Sequence, residues 1–419
     1  MANRIQLRRD TAANWTTANP VLASGEKGYE TDTKRQKIGD GTTAWSSLGY
    51  LIDKGTADAS YAFNTAQGLE VLRTQVGNAL RPFRATLGAR VTTPVDVVVI
   101  GDSISEGQAS STLSNRWITQ FVSNLRKSFQ PSGVGGSLGY MPSWHALTSP
   151  TGTSPTVAGT PTQSSNSGLG RRVLQLNASG DSVTFVVTCT SFDLLYTTQT
   201  STVSTFTVTI DGGAPTTVTP ASGGIISAKW NSGALSAAAH TIVVAWASNT
   251  PQIEGLMPYY QDETKGIRLW DAAHYGFTTS SYTSLGYWAT SLSMIPNCGI
   301  AVIYLGTNDF GTNVASATFQ TNLTSIIATV RGKLAATTIL VVAGYERSGS
   351  FAEPWSNYVA AMYAAAATDS FCAVVDLSKR MVKCSAETIS GVYNADGVHP
   401  ADKGHLMIAD AVTAYVTAP

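Results

Sequence analysis

Three short segments carry residue types suited to nucleophilic acyl chemistry. Gly101-Asp102-Ser103-Ile104-Ser105-Glu106-Gly107 follows the nearly all-apolar run Val95–Ile100. The serine therefore sits at a strand-to-helix turn, where a helix N-terminus favours negative charge. The bland reading of Ser103 is the N-cap of that helix. Position 105 is Ser, which counts against the G-x-S-x-G elbow of an α/β-hydrolase. Gly306-Thr307-Asn308-Asp309 follows Ile300–Leu305. The Asn308 amide could donate to a developing oxyanion, or merely cap the next helix through an Asx-turn. Asp396-Gly397-Val398-His399-Pro400 stands before the last helical stretch. There Asp396 could fix the tautomer of His399 and His399 could take the proton of Ser103. A lone Asp-x-x-His is common by chance; one at the last strand-to-helix connection, in a chain whose first carries Gly-Asp-Ser, is not. A fourth segment, Asp271-Ala272-Ala273-His274-Tyr275-Gly276, offers a glycine whose N–H can approach a ligand closely. His274 reads more readily as a partner of strand-end backbone than as a site residue. His145, His240 and His405 read as loop, sandwich surface and final helix.

These segments need strands that end together. Val95–Ile100, Ile267–Trp270, Ile300–Leu305, Ile339–Ala343 and Cys372–Leu377 read as strands buried on both faces of a parallel sheet. Helical patterns lie between them: Trp117, Ile118, Phe121, Val122 and Leu125 share one face, and further helices are predicted over 315–334, 353–367 and 403–416. In such a sheet the site lies at the carboxyl ends of the strands. The rhythm stops near Pro131. Residues 131–165 read as loop, and residues 170–250 show period-two alternation (Val183/Phe185/Val187, Phe206/Val208/Ile210, Ile242/Val244/Trp246) with a hairpin turn at Asp211-Gly212-Gly213. The predicted fold is α/β: a doubly wound, flavodoxin-like parallel sheet over 86–140 and 263–419, interrupted by a β-sandwich over 141–262. Residues 1–51 form a small β-rich module with little apolar material of its own. Residues 56–82 read as a helix ended by Pro82, within a linker over 52–85. Its Ala62, Thr65, Leu69, Leu72, Val76 and Ala79 follow the spacing of a weak heptad seam or of an amphipathic linker.

In order and spacing, the four chemical segments resemble the SGNH/GDSL hydrolase family: Gly101-Asp102-Ser103 its first block, Gly276 its oxyanion glycine, Asn308 its third block, and Asp396 with His399 its last. The resemblance implies a serine esterase using Ser103, His399 and Asp396, with an oxyanion hole from the Ser103 N–H, the Gly276 N–H and the Asn308 amide, and no metal or cofactor. Asp102, His274 and the loop aromatics Tyr140, Trp144, Tyr275, Phe310 and Tyr345 are the candidates for substrate contact; Tyr196, Trp230 and Trp246 of the sandwich read as core or as sugar platforms. Residues 4–51, through Ile5–Arg9, Pro20–Glu26, Glu30–Asp32 and Lys37-Ile38-Gly39-Asp40-Gly41 with Trp45, resemble the head module of phage tail-fibre and receptor-binding proteins. That implies attachment to other virion tail proteins and a homotrimer.

Composition narrows the alternatives. Of 419 residues only 13% are charged, and 27 basic residues balance 27 acidic ones, whereas a nucleic-acid binder would show a basic excess. No run of 18 apolar residues spans a membrane, and the start MANRIQLRRD lacks the apolar core of a Sec signal. Four cysteines without a C-x-x-C pair, and histidines without matching spacing, make neither a zinc site nor a disulfide scaffold. The expected function is a phage tail-appendage esterase removing acyl groups, O-acetyl first, from host surface polysaccharide, at the virion. The alternatives are a non-catalytic receptor-binding protein and an esterase of envelope lipid esters.

Overall fold

The structure, a computed structural model, describes residues 8–51, 66–134, 139–148, 155–261, 265–284 and 286–418; over 66–76 it describes backbone alone. The chain divides into two compact units, Met1–Val76 and Gly77–Pro419.

In the first unit the strands Arg8–Asp10, Lys27–Glu30 and Gln36–Ile38 form one sheet, the first pair parallel and the second antiparallel. Its core is small: Trp15, Leu22 and Trp45. The two indoles stack at 4.1 Å, and a side chain at Gly28 would collide with Trp45, so glycine there lets the ring lie flat on the strand. Lys37 is buried and satisfies its ammonium by donating to the Trp45 carbonyl at 2.7 Å.

The second unit is built on five parallel strands in the spatial order Ile267–Ala273, Val95–Gly101, Cys298–Tyr304, Thr338–Ala343, Cys372–Asp376. Counted along the chain this is 2-1-3-4-5, the flavodoxin-like order, with its switch point between Val95–Gly101 and Cys298–Tyr304. Helices Trp117–Phe129 and Asp402–Thr417 pack together, as do Ser316–Lys333 and Trp355–Ala366. Both faces of the sheet are covered, so its strands carry no alternation.

Between the first and second of these strands lies the sandwich. One sheet runs Ser227–Asn231, Ser191–Thr197, Gln252–Tyr259, Val173–Gln175, Thr162–Ser164, with Met141–Pro142 also on Gln252–Tyr259. The other runs Thr216–Val218, Phe206–Ile210, Ala238–Trp246, Ser182–Cys189, Thr156–Ala158. Val183, Phe185, Val187, Phe206, Val208, Ile242 and Val244 point between the sheets, as their alternation requires. Ser191–Thr197, by contrast, is buried at every position. Leu194 and Tyr196 face the partner sheet, while Leu195 joins Met257 and Tyr259 in the core of the parallel-sheet domain. The sandwich is thus fused to the α/β layer by a second buried face. Tyr196 is core, and Trp230 and Trp246 pack against it. Thr156–Ala158 and Thr162–Ser164, expected as loop, are short edge strands whose Thr and Ser content hides them, and Met141–Pro142, also expected as loop, is a two-residue strand.

The linker helix also departs from expectation. It spans Ala66–Gly88 and passes through Pro82. Seam positions Ala62 and Thr65 lie outside the described residues, and Leu69, Leu72 and Val76 are described in backbone only. A proline ordinarily interrupts the helical ladder. Here the buried Thr338 hydroxyl is spliced into it: Phe83 N–H donates to Thr338 Oγ1 at 3.1 Å, and that hydroxyl donates to the Ala79 carbonyl at 3.0 Å. One side chain therefore replaces the Phe83-to-Ala79 bond. Thr338→Val should destabilise the second unit by about 2 kcal/mol, since it strands a buried donor and acceptor, whereas Thr338→Ser should cost less than about 1 kcal/mol. Denaturant melts of the two variants check this; equal losses would remove the hydroxyl from the account.

Candidate active site

Ser103, Gly276 and Asn308 follow closely on the carboxyl ends of strands, and the Asp396–His399 turn precedes the last helix. Gly101 ends the strand Val95–Gly101, where a side chain would meet Ser105 and the Tyr304 carbonyl, so glycine lets the next helix fold directly back onto the sheet. Asp102 caps that helix, its Oδ1 accepting from Ile104 N–H at 2.9 Å. Ser103 is the first helical residue, so its N–H is among the donors left without an intrahelical partner.

Ser103 Oγ lies 2.8 Å from His399 Nε2. His399 Nδ1 lies 2.6 Å from Asp396 Oδ2, while Asp396 Oδ1 accepts from the N–H groups of Val398 and His399 at 2.8 and 3.0 Å. A carboxylate at Nδ1 places the ring proton there and leaves Nε2 as an acceptor facing the serine. Burial raises the Asp396 carboxyl, but the backbone and ring donors of His399 outweigh it and hold it at about 2. Tyr345 is buried and donates its hydroxyl to the Val398 carbonyl at 2.8 Å, which fixes the turn between the two catalytic candidates.

The loop after Ile267–Ala273 is clamped from three sides. Tyr275 N–H donates to Glu106 Oε2 at 2.6 Å. The Phe277 carbonyl accepts from Asn308 Nδ2 at 2.9 Å. Thr279 gives its N–H and hydroxyl to Asp309. Between these anchors Gly276 adopts φ +72°, and among the described residues its N–H has no partner. Asn308 retains a second amide hydrogen. The Ser103 N–H, the Gly276 N–H and that amide hydrogen are, among the described residues, three uncommitted donors following neighbouring strands at the switch point of the sheet, the kind of donor an oxyanion hole uses.

The other candidates for contact separate by burial. Tyr275 is 45% exposed, whereas Tyr140, Trp144, His274, Phe310 and Tyr345 are buried. Phe310 packs among Phe351, Trp355 and Tyr358, in the core and away from any opening. His274 stacks on Phe277, approaches the Gly170 carbonyl through Nδ1 at 3.0 Å and abuts Trp144. Burial and the nearby Arg172 lower it to about 3, so it supports the loop as a neutral ring. Asp102 is buried too, with Oδ2 unpartnered; burial and the neighbouring Asp309 push it up to about 7. The four buried aromatics and His274, with Asp102, therefore lie behind the surface of the site. Pattern-reading places them in loops because burial is not visible in a loop sequence.

Other groups went unread. Beneath the site, buried Asp271 accepts from Arg116 at 2.5 Å and Arg172 at 2.9 Å, and Arg172 Nη1 stands 3.6 Å from Glu106 Oε1. Burial raises the Asp271 carboxyl, but the two guanidiniums more than offset it and hold it well below the ordinary carboxylate range. His145, expected in a loop, is buried in this cluster and accepts from Arg172 at 3.3 Å. Burial lowers it to about 3, so its 3.7 Å approach to Asp271 is not an ion pair. His240 is not a surface residue either: it is buried, 2.6 Å from Asp211 Oδ2, and closes the hairpin. His405 on the last helix is likewise buried and accepts from Trp117 N–H, a free helix-start donor, at 3.3 Å. Glu106 was legible as a neighbour of Ser103; nothing in the local sequence marks its partners.

A serine with its imidazole and carboxylate, on a 2-1-3-4-5 sheet, defines the SGNH class of hydrolase. Residues 242–407 match the model of the GDSL-like Lipase/Acylhydrolase family, a span holding Gly276, Asn308, Asp396 and His399, while Ser103 lies upstream of the sandwich. Residues 5–43 match the Major tropism determinant N-terminal domain. The solved structure of a peptidoglycan O-acetylesterase superposes with TM-score 0.60 at 16% identity, covering 81% of this chain and 96% of that one, and shows the shared fold. Hyaluronoglucosaminidases of Streptococcus pyogenes phages H4489A and H10403 are 44% and 42% identical over 48 residues. These stretches cover 12% of this chain and only 13% and 14% of theirs. The second unit is thus built as a serine carboxylic-ester hydrolase, its residues 242–407 similar to the GDSL-like acylhydrolases, in a chain whose residues 5–43 are similar to a tail-determinant N-terminal domain. No helix among the described residues is long and apolar enough to cross a membrane, and no cluster there could hold a metal ion.

Proposed function

We propose that this protein removes ester-linked acyl groups, O-acetyl above all, from a host cell-surface polysaccharide, with Ser103 as nucleophile. The observation that carries the reading is the 2.8 Å and 2.6 Å relay from Ser103 through His399 to Asp396. Ser103 Oγ attacks the ester carbonyl carbon as its proton passes to His399 Nε2. The carbonyl oxygen takes up negative charge against the N–H groups of Ser103 and Gly276 and the Asn308 amide. Collapse breaks the bond to the sugar oxygen, which leaves with the proton from His399. Water, deprotonated by the same imidazole, then releases acetate from the acyl-serine. The exposed Tyr275 ring beside the oxyanion loop is the group placed to meet a sugar face. A peptidoglycan O-acetylesterase of the same fold supports the acetyl-glycan class over a lipid ester. The N-terminal module would join the enzyme to a virion tail as a trimer, bringing it to the host surface.

Acetate release from purified host capsule or wall polysaccharide is the test. The wild type should liberate acetate and Ser103→Ala none above background. Release of long-chain fatty acid alone would move the substrate to lipid esters, and release of neither would leave a receptor-binding role.

A further inference from the structure

Glu106 lies three residues beyond the nucleophile, is 8% exposed, and has no role in the proton relay. Its carboxylate divides between two tasks. Oε2 accepts the Tyr275 N–H at 2.6 Å, a short charge-assisted bond to the peptide just before the Gly276 peptide. Among the described residues Oε1 has no hydrogen-bond partner, and it stands 3.6 Å from Arg172 Nη1. Arg172 is completely buried and comes from the inserted sandwich. It also donates to the Asp271 carbonyl at 2.6 Å and to Asp271 Oδ1 at 2.9 Å, gripping the strand that delivers the same loop. The neighbouring Gly170 carbonyl meets His274 Nδ1 at 3.0 Å. The insertion thus touches residues 271 and 274 directly and residue 275 through Glu106.

We propose that Glu106 is a positioning residue for the oxyanion hole, holding the Tyr275 peptide so that the Gly276 N–H faces the reacting carbonyl, with Arg172 of the sandwich seating the carboxylate. Gly276 at φ +72° has no side chain to restrain it, and the Asn308 bond to the Phe277 carbonyl holds the chain only two peptides further on. Without an anchor at residue 275 the loop can rotate its donor away. A displacement near 1 Å at such a group costs on the order of 10²-fold in rate, and loss of an oxyanion donor roughly 10²–10³-fold. The inference rests on the oxyanion assignment made above and adds that the sandwich is part of the catalytic apparatus.

The test is a series at one position, read by reach against charge. Glu106→Gln keeps an acceptor at the same distance and loses the charge; Glu106→Asp keeps the charge and withdraws the oxygen; Glu106→Ala loses both. With 4-nitrophenyl acetate, well below each variant's melting temperature, Glu106→Gln should retain kcat within about tenfold. Glu106→Asp and Glu106→Ala should lose roughly 10²-fold in kcat, with KM within about twofold. Inhibition by a boronic acid, which bonds to the serine and places an oxygen in the hole, should weaken in the same order. The reverse ranking, Asp active and Gln inactive, would make Glu106 a counter-charge for Arg172 and overturn the proposal. So would three variants of wild-type kcat, or losses that follow melting temperature and leave boronate affinity intact. A wild type inert toward the ester, or an unaffected Ser103→Ala, would instead sink the catalytic assignment.

Discussion

Ser103→Ala is expected to lower kcat for 4-nitrophenyl acetate by about 10⁴–10⁶-fold while shifting the melting temperature by no more than about 2 °C. Among the described residues the hydroxyl's one hydrogen bond is to His399 Nε2, so its removal leaves the helix cap and strand end untouched. The Ser103 N–H, the Gly276 N–H and the Asn308 amide survive in the variant. A small residual rate from water in the intact oxyanion hole is therefore expected. In the wild type, mass spectrometry after rapid acid quench should find one acetyl group on the peptide containing Ser103. A variant rate within tenfold of wild type would dismiss the serine as nucleophile.

Asp396→Asn should cost about 10⁴-fold in kcat with KM nearly unchanged, for a reason specific to this turn. Asp396 Oδ1 already accepts the Val398 and His399 N–H groups, so an asparagine oxygen takes that position and turns its amide toward the ring. The amide then donates to Nδ1 and the proton moves to Nε2, where it blocks transfer from Ser103. A loss below tenfold would show that the carboxylate does not set the tautomer. The same group fixes a pH dependence. Its carboxyl is lowered from 3.8 to about 2, so its contribution to stability is complete above pH 3.8 and is lost as pH falls through about 2. Because Asp396 is partly exposed, the loss is modest; activity lost on acidification well above pH 4 belongs to another group.

The proposed relay was the legible part of the candidate site because Ser103 and Asn308 closely follow strand ends and the Asp396–His399 pair directly precedes the last helix. Ser103, Asn308 and the Asp396–His399 pair needed only strand periodicity and chain order to be placed. The supports were not legible. Glu106, Arg172 and Asp271 meet across 66 to 165 positions of sequence, and a buried arginine looks like a surface one until its partners converge. Phe310 and Tyr345 occur in loop-like stretches, yet the first fills a core and the second holds the catalytic turn. Pro82 fails to end its helix because Thr338, 255 residues from Phe83, supplies the missing link. Local signals report backbone preference and periodicity; they are silent about which distant side chain will repair a break.

The sandwich's place in the chain also sets a schedule. Asp96 on Val95–Gly101 and its partner Arg268 on the adjoining strand are separated by 172 residues. At ribosomal speeds of about 5–20 residues per second, the apolar Val95–Ile100 segment emerges roughly 10–30 s before its first neighbour in the sheet exists. The sandwich strands meanwhile have most of their partners in hand and can close first. Tyr259 and Met257 on its outer face then present an apolar wall against which the waiting strand and Ile267–Ala273 can assemble. Lengthening the insertion prolongs the interval in which an unpaired, nearly all-apolar strand is open to aggregation, so yield on expression should depend on how fast the sandwich forms.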